Sequence, residues 1–287
     1  MKLQTVVDIA PSKWKIGYED KILLLGSCFS DEIGEQMVQR YLQVTSNPFG
    51  TLYNPLSIAQ AITMTEVPEL IEHEGLWHSM AHHGSFSRAN KDEAQEAVRA
   101  SIENMQKALQ EATVVIVTFG TAWVYELVES RKTKDKSQVV GNCHKLPAEA
   151  FTRRRLTVDE IVEAWKPLLE QYKDKHWLFT VSPIRHIKDG LHENQLSKAT
   201  LLQAVEQLQT RMVSSAPETL RYFPSYEIVL DELRDYRFYA DDLVHPSSMA
   251  VNYVWERFMD TFCTPQTKNE LVLQHKRWKH EHHIPLH

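Results

Sequence analysis

The chain has 287 residues, 43% hydrophobic and 24% charged, with a formal net charge of −6, an ordinary globular composition with enough length for a sizeable core. Mild acidity, and no basic run longer than Arg153-Arg154-Arg155, argue against nucleic acid as a partner. No stretch approaches the roughly 20 apolar residues of a membrane helix.

The first residues turn polar before any signal-like apolar run builds up, and three cysteines (Cys28, Cys143, Cys263) are too few for a disulfide framework. A cytoplasmic protein with free thiols is expected.

Lys21 to Gly26 is a short apolar run closed by glycine, the pattern of a buried parallel strand. A helix is expected from Ser30-Asp31-Glu32, acidic in its first turn, with Ile33, Met37, Val38 and Tyr41 at helical spacing. The stretch 70–88 fits no clean period and is expected to pack over one edge of the site. Residues 90–112 predict a helix with Val98, Ile102, Met105, Leu109 and Ala112 on one face. The run 113–119 predicts a second buried strand, stopped by Gly120, and 123–141 a hairpin with its polar tip at 132–137. The arginine triplet is expected as a solvated approach to the next helix, which a Thr157-Val158-Asp159-Glu160 capping box opens and which runs to about 172.

A third strand is expected at 176–181, stopping at Ser182-Pro183. A long helix follows over 193–214, with Leu201, Val205 and Leu208 on its apolar face, and a short fourth strand at 220–223. Ser247 or Ser248 caps a last core helix over 249–262. Strands separated by helices imply parallel βαβ units, hence an α/β fold: a three-layer α/β/α sandwich on a mostly parallel sheet. The expected organisation is one domain over 1–265, carrying the 70–88 insertion and the 123–141 hairpin, then a helical tail over 266–287.

Cys28 lies just past a strand-terminal glycine at the start of a helix, where unpaired N–H groups and the positive dipole end stabilise an anionic sulfur or an oxyanion. It can equally be read as a small apolar plug. In Asp242-Leu243-Val244-His245 the carboxylate can hold one imidazole nitrogen while the other acts as general base. Alone this spacing says little. Downstream of a strand-end nucleophile, in the order nucleophile, Asp, His, it makes a coherent triad.

Gly26-Ser27-Cys28-Phe29-Ser30 resembles the Gly-Asp-Ser-Leu-Ser opening of the GDSL/SGNH hydrolases, and Asp242-x-x-His245 resembles their last block. More specifically the chain resembles the GSCFA family, named for this opening. Further matching stretches begin at Ser46-Asn47-Pro48-Phe49-Gly50, Thr118-Phe119-Gly120-Thr121-Ala122-Trp123, Thr180, Glu193 and Tyr222. The resemblance spans about residues 20 to 260 and implies an SGNH-hydrolase (flavodoxin-like) sheet. It puts Cys28 in the nucleophile's place, Ser27 where relatives have Asp, and Asp242 and His245 in the acid and base places. Gly50 takes the place of the glycine whose N–H helps bind the oxyanion.

The third block, normally Gly-x-Asn, reads Gly120-Thr121-Ala122, so an amide donor is missing. Losing one such donor typically costs on the order of 2.7–4 kcal/mol in the transition state. Asn47, Thr121 and the Trp123 indole are the expected substitutes, and Ser27 and Ser30 are fallback nucleophiles.

Arg185 and His186 follow the third strand and can grip a substrate, or Arg185 can pair with Asp231, Glu232 or Asp235. Asn194, Ser197 and Lys198 form a polar patch at a helix entry, with the same ambiguity. The 14 histidines raise the question of zinc, with Cys28, His83, Cys143, His144, His186 and His245 as conceivable ligands, but no C-x-x-C or H-E-x-x-H spacing supports it. A hydrogen-bonded lid at His82 and His83 is the preferred expectation. No cofactor is implied, CoA entering only as an acyl carrier. The expected function is an acyl-ester hydrolase acting on a small-molecule or glycan-linked ester. The alternatives are an acyltransferase using the same residues and a non-catalytic ligand-binding protein.

Overall fold

The computed structural model describes residues 4–128, 138–212 and 219–282. In chain order the regular elements are β1 (Lys21–Gly26), α1 (Cys28–Val38), β2 (Gln43–Ser46), α2 (Pro55–Thr63), β3 (Ile71–His73), β4 (Leu76–His78), α3 (Lys91–Glu111) and β5 (Val114–Phe119). Then come β6 (Trp123–Leu127), β7 (Gln138–Val140), β8 (Phe151–Arg155), α4 (Val158–Gln171), β9 (His176–Val181), α5 (Leu191–Met212) and β10 (Leu220–Tyr222). A short α6 (Ser225–Glu227) continues as a π-helical turn over Ile228–Leu233, followed by α7 (Ser248–Phe262) and α8 (Pro265–Glu281). The hairpin tip expected at 132–137, the helix end expected at 213–214 and the tail beyond 282 lie outside the described residues.

Five parallel strands form the central sheet in the order β10-β9-β5-β1-β2. Counted within the sheet this is the doubly wound order 2-1-3-4-5, whose switch point lies between β1 and β5. The unbroken apolar runs of β1, β5 and β9 follow from burial on both faces. Leu23, Leu25, Val115, Val117, Trp177 and Phe179 point into one core with α2, α3, α4 and α5. Ile22, Leu24, Val114, Ile116 and Leu178 point into a second core with α1, α7 and Leu271 of α8. The result is a three-layer α/β/α sandwich, as the sequence implies.

Several local expectations differ from the structure, each for a physical reason. Helix α1 starts at Cys28 with Ser27 as its N-cap, two residues before the acidic turn. It stops at Val38, which is exposed, and Tyr41 sits past the end in a left-handed conformation (φ 59°), so neither continues the buried stripe. Strand β2 and helix α2 have no counterpart in the sequence reading; β2 is a four-residue edge strand, QVTS, too short and polar to show a period. The 70–88 stretch holds a hairpin of two three-residue strands around Glu74-Gly75, both at positive φ, again below the length at which periodicity appears.

The arginine triplet is a correction. It is not an approach to a helix but strand β8, which joins the β6–β7 hairpin as a third antiparallel strand. Its charges are paired: Arg154 reaches Glu126 on β6 at 2.9 Å and Glu160 on α4 at 2.8 Å, and Arg153 pairs with Asp189 while lying 4.3 Å over the Trp123 ring.

Candidate active site at the switch point of the sheet

Strand β1 ends at Gly26, whose φ of +136° and close approach to the Thr118 carbonyl leave no room for a Cβ. The chain thereby turns sharply into α1 and sets Cys28 on the helix's first turn, half-buried. The Cys28 N–H has no hydrogen-bond partner among the described residues. Neighbouring Ser30 is not presented to solvent: its hydroxyl bonds the Leu25 carbonyl (3.1 Å) and Thr118 (2.7 Å) in the core. Ser27 is fully buried, and its Oγ has no partner among the described residues.

The Cys28 sulfur meets the Tyr53 hydroxyl at 3.4 Å. Burial and the contact with Cys28 push the Tyr53 pKa up to about 12, so the hydroxyl keeps its proton at neutral pH. Tyr53 lies in the loop between β2 and α2, within a stretch that resembles the family but with no role assigned to it from sequence. Nothing in its local pattern marks it.

Asp242 and His245 form the second half of the site. Asp242 Oδ2 accepts from His245 Nδ1 at 2.6 Å, and Oδ1 accepts from the Val244 and His245 N–H groups at 2.9 and 3.0 Å. These bonds hold the carboxyl well below its ordinary range, at about 2. The imidazole is therefore oriented with Nε2 open; among the described residues Nε2 has no partner, and the sulfur's partner is Tyr53 rather than His245. The two halves nonetheless share a neighbourhood. His245 lies close enough to α1 to counteract the upward push of burial and Glu35 on the Glu32 carboxyl, and it also acts on His186. His186 in turn stands edge-on to the Tyr53 ring at 6.3 Å.

Of the expected oxyanion donors, Gly50, Asn47, Gly120 and Thr121 have their groups already engaged. The Gly50 N–H donates to the Asn47 carbonyl (2.7 Å), and the Asn47 amide bridges the Gly26 N–H (2.8 Å) and Asp31 (2.7 Å). The Gly120 and Thr121 N–H groups donate to the Tyr53 carbonyl at 2.8 and 3.0 Å, and the Thr121 hydroxyl meets Ser197 at 3.1 Å. The buried Trp123 indole N–H has no partner among the described residues.

Arg185 resolves its ambiguity in an unexpected direction. Its N–H donates to the Val244 carbonyl (3.1 Å), its guanidinium donates to the Leu243 carbonyl (3.1 Å) and stacks over Tyr236 and Tyr239, so it braces the Asp242–His245 loop. Glu232 instead pairs with Arg257 and Asp235 with Arg237, while Asp231 lies 3.8 Å from the exposed Arg234. His186 is held by its N–H to Asn194 (2.9 Å); burial and then nearby Lys198 push its pKa down to about 4, leaving a neutral ring.

Lys198 carries more than the polar patch expected of it. It is fully buried, with Nζ donating to the Gly120 and Ser182 carbonyls, both at 2.7 Å, and so ties together the ends of β5 and β9. Burial pushes its pKa down to about 7.

In the insertion, His83 is exposed, its Cβ packs against Gly50 and its N–H donates to the Phe49 carbonyl (2.9 Å), which places it on the rim. His82 is buried between Ser79 (2.7 Å) and Ser101 (2.8 Å) and stacks on Phe49. His144 bonds the Ser79 carbonyl, and His78 bonds Ser87 and the His73 carbonyl. Among the described residues no three His, Cys, Asp or Glu side chains group as a metal site would require.

No described helix is long and apolar enough to cross a membrane. The sequence model of the GSCFA family matches residues 21–258. No curated protein matches the chain.

Proposed function

The chain belongs to the GSCFA family, and on that premise we propose that it is an acyl-ester hydrolase or acyltransferase of SGNH type with Cys28 as nucleophile. The observation that carries this reading is one of placement. A cysteine opens a helix at the switch point of a doubly wound sheet, and an Asp–His pair whose geometry leaves Nε2 open acts electrostatically on Glu32 of that same helix.

The chemistry follows from the groups at hand. The substrate displaces the Tyr53 hydroxyl from the sulfur, His245 Nε2 takes the thiol proton, and Sγ bonds the ester carbonyl carbon. The Cys28 N–H and the Tyr53 O–H receive the developing oxyanion, Tyr53 standing where the missing third-block amide leaves a gap. The C–O bond then breaks, the alcohol leaves with the proton from His245, and a thioester remains. A water or hydroxyl acceptor, deprotonated by His245, attacks the thioester and restores the thiol. Asp242 stays ionised and keeps the imidazole in the productive tautomer.

Short-chain p-nitrophenyl esters and acyl-CoAs, offered to wild type and to Cys28→Ala, test the reading. Turnover by wild type and none by the variant is expected. No turnover together with no enhanced alkylation of Cys28 at neutral pH leaves only a ligand-binding protein, and full activity in Cys28→Ala moves the chemistry elsewhere.

A further inference from the structure

Between the loop after β9, the start of α5 and the helical turns over 225–239 lies an open cleft of about 440 Å³, within the roughly 300–1,000 Å³ range of small-molecule sites. Cys28 and Tyr53 do not line it, but it shares a wall with the base loop. Arg185 lines the cleft and braces Leu243 and Val244, and Tyr239, another lining residue, bridges to Pro246, the residue after His245.

The lining has two chemical characters. Tyr236 and Tyr239 offer ring surface, Tyr236 being 63% exposed, and their hydroxyls have no hydrogen-bond partner among the described residues. Arg185, Arg234, Asp231 and Asp235 line the cleft with them, so the formal charges of the lining cancel, Asp235 being held by Arg237 at 2.8 Å. Asp231 and Arg234 are solvent-exposed and 3.8 Å apart, too far for a tight pair, which leaves both able to bond a guest. A polyanion finds no net attraction in such a cleft. A purely apolar guest would strip water from four charged groups without replacing it. A neutral polyhydroxylated ring satisfies both characters: its C–H face covers a tyrosine ring, and its hydroxyl edge bonds carboxylate and guanidinium.

We infer that this cleft binds a neutral carbohydrate. That the sugar is the alcohol part of the ester, or the acyl acceptor, rests on the proposed function; the binding does not.

Saturation-transfer NMR on the full chain, with maltotriose, cellotriose and chitotriose as probes and glucose 6-phosphate as the anionic comparator, tests it. Transfer to at least one neutral oligosaccharide is expected, with little to the phosphate. Tyr236→Ala and Asp231→Asn, both surface changes, should each weaken binding on the order of tenfold, as loss of a central contact does. Cys28→Ala should bind like wild type, so failure of the thiol chemistry and failure of the sugar site are read separately. No transfer from any neutral sugar, undiminished transfer in both variants, or preference for the phosphate would overturn the inference.

Discussion

At the β1–α1 junction Ser27 is 1% exposed, the Ser30 hydroxyl is tied into the core and the Asn47 amide clamps the Gly26 N–H. The Asp242 and His245 side chains, by contrast, are each 48% exposed and held mainly by bonds within their own four residues and by Arg185. The position of Cys28 is thus a consequence of the core, whereas that of His245 is set by a surface loop. A buried shelf tolerates little displacement. His245 makes no hydrogen bond to the sulfur among the described residues, and under the proposed mechanism the exposed loop, rather than the buried shelf, is the side that brings Nε2 to it.

The largest effects should break the shelf. Cys28→Ala is expected to lower acyl turnover by at least about 10³-fold, because no other nucleophile occupies the position, with release of p-nitrophenolate as the readout. His245→Ala should cost about 10²–10⁴-fold, the usual contribution of a positioned proton shuttle. Alkylation of Cys28 by iodoacetamide in that variant separates loss of the base from loss of the thiol. Tyr53→Phe removes one hydroxyl from beside the sulfur and should reduce kcat on the order of 10²-fold while KM changes little; an unchanged kcat would return the oxyanion role to another donor.

Smaller effects sharpen the contrast through stability. The buried Lys198 amine has its pKa pushed down to about 7, below the ordinary lysine value. Between that pH and the ordinary value the unfolded chain binds more protons than the folded one, so stability should rise with pH above about 7. Lys198→Met should flatten that rise and also destabilise, by about 1–3 kcal/mol for each strand-end carbonyl left without its donor. On the acid side, burial and His144 push His82 down to about 3, so its contribution is complete above the ordinary histidine value and disappears as pH falls toward 3. Urea midpoints measured from pH 7 down to pH 4 should decline accordingly, and less steeply in His82→Asn.

The same contrast explains what was legible in the sequence. Strands β1, β5 and β9 show as continuous apolar runs because both faces are covered, and the Asp242–His245 pair shows because its partners are three residues apart. Tyr53 escaped because its partner is 25 residues away and reached through a loop. Lys198 reads as part of a polar patch at a helix entry; only the convergence of the β5 and β9 ends makes it a buried donor. The arginines of β8 escaped because Arg154 pairs with Glu126 on β6 and Arg153 with Asp189 beyond β9, separations over which no local period extends.

Intact-mass analysis after a brief incubation with p-nitrophenyl acetate tests the central claim most directly. One acetyl group is expected on the wild-type chain, mapped by peptide digestion to Cys28, persisting longer when His245 is replaced by alanine because the thioester then lacks its base. No adduct and no released p-nitrophenolate, or the same adduct and turnover in Cys28→Ala, would contradict it.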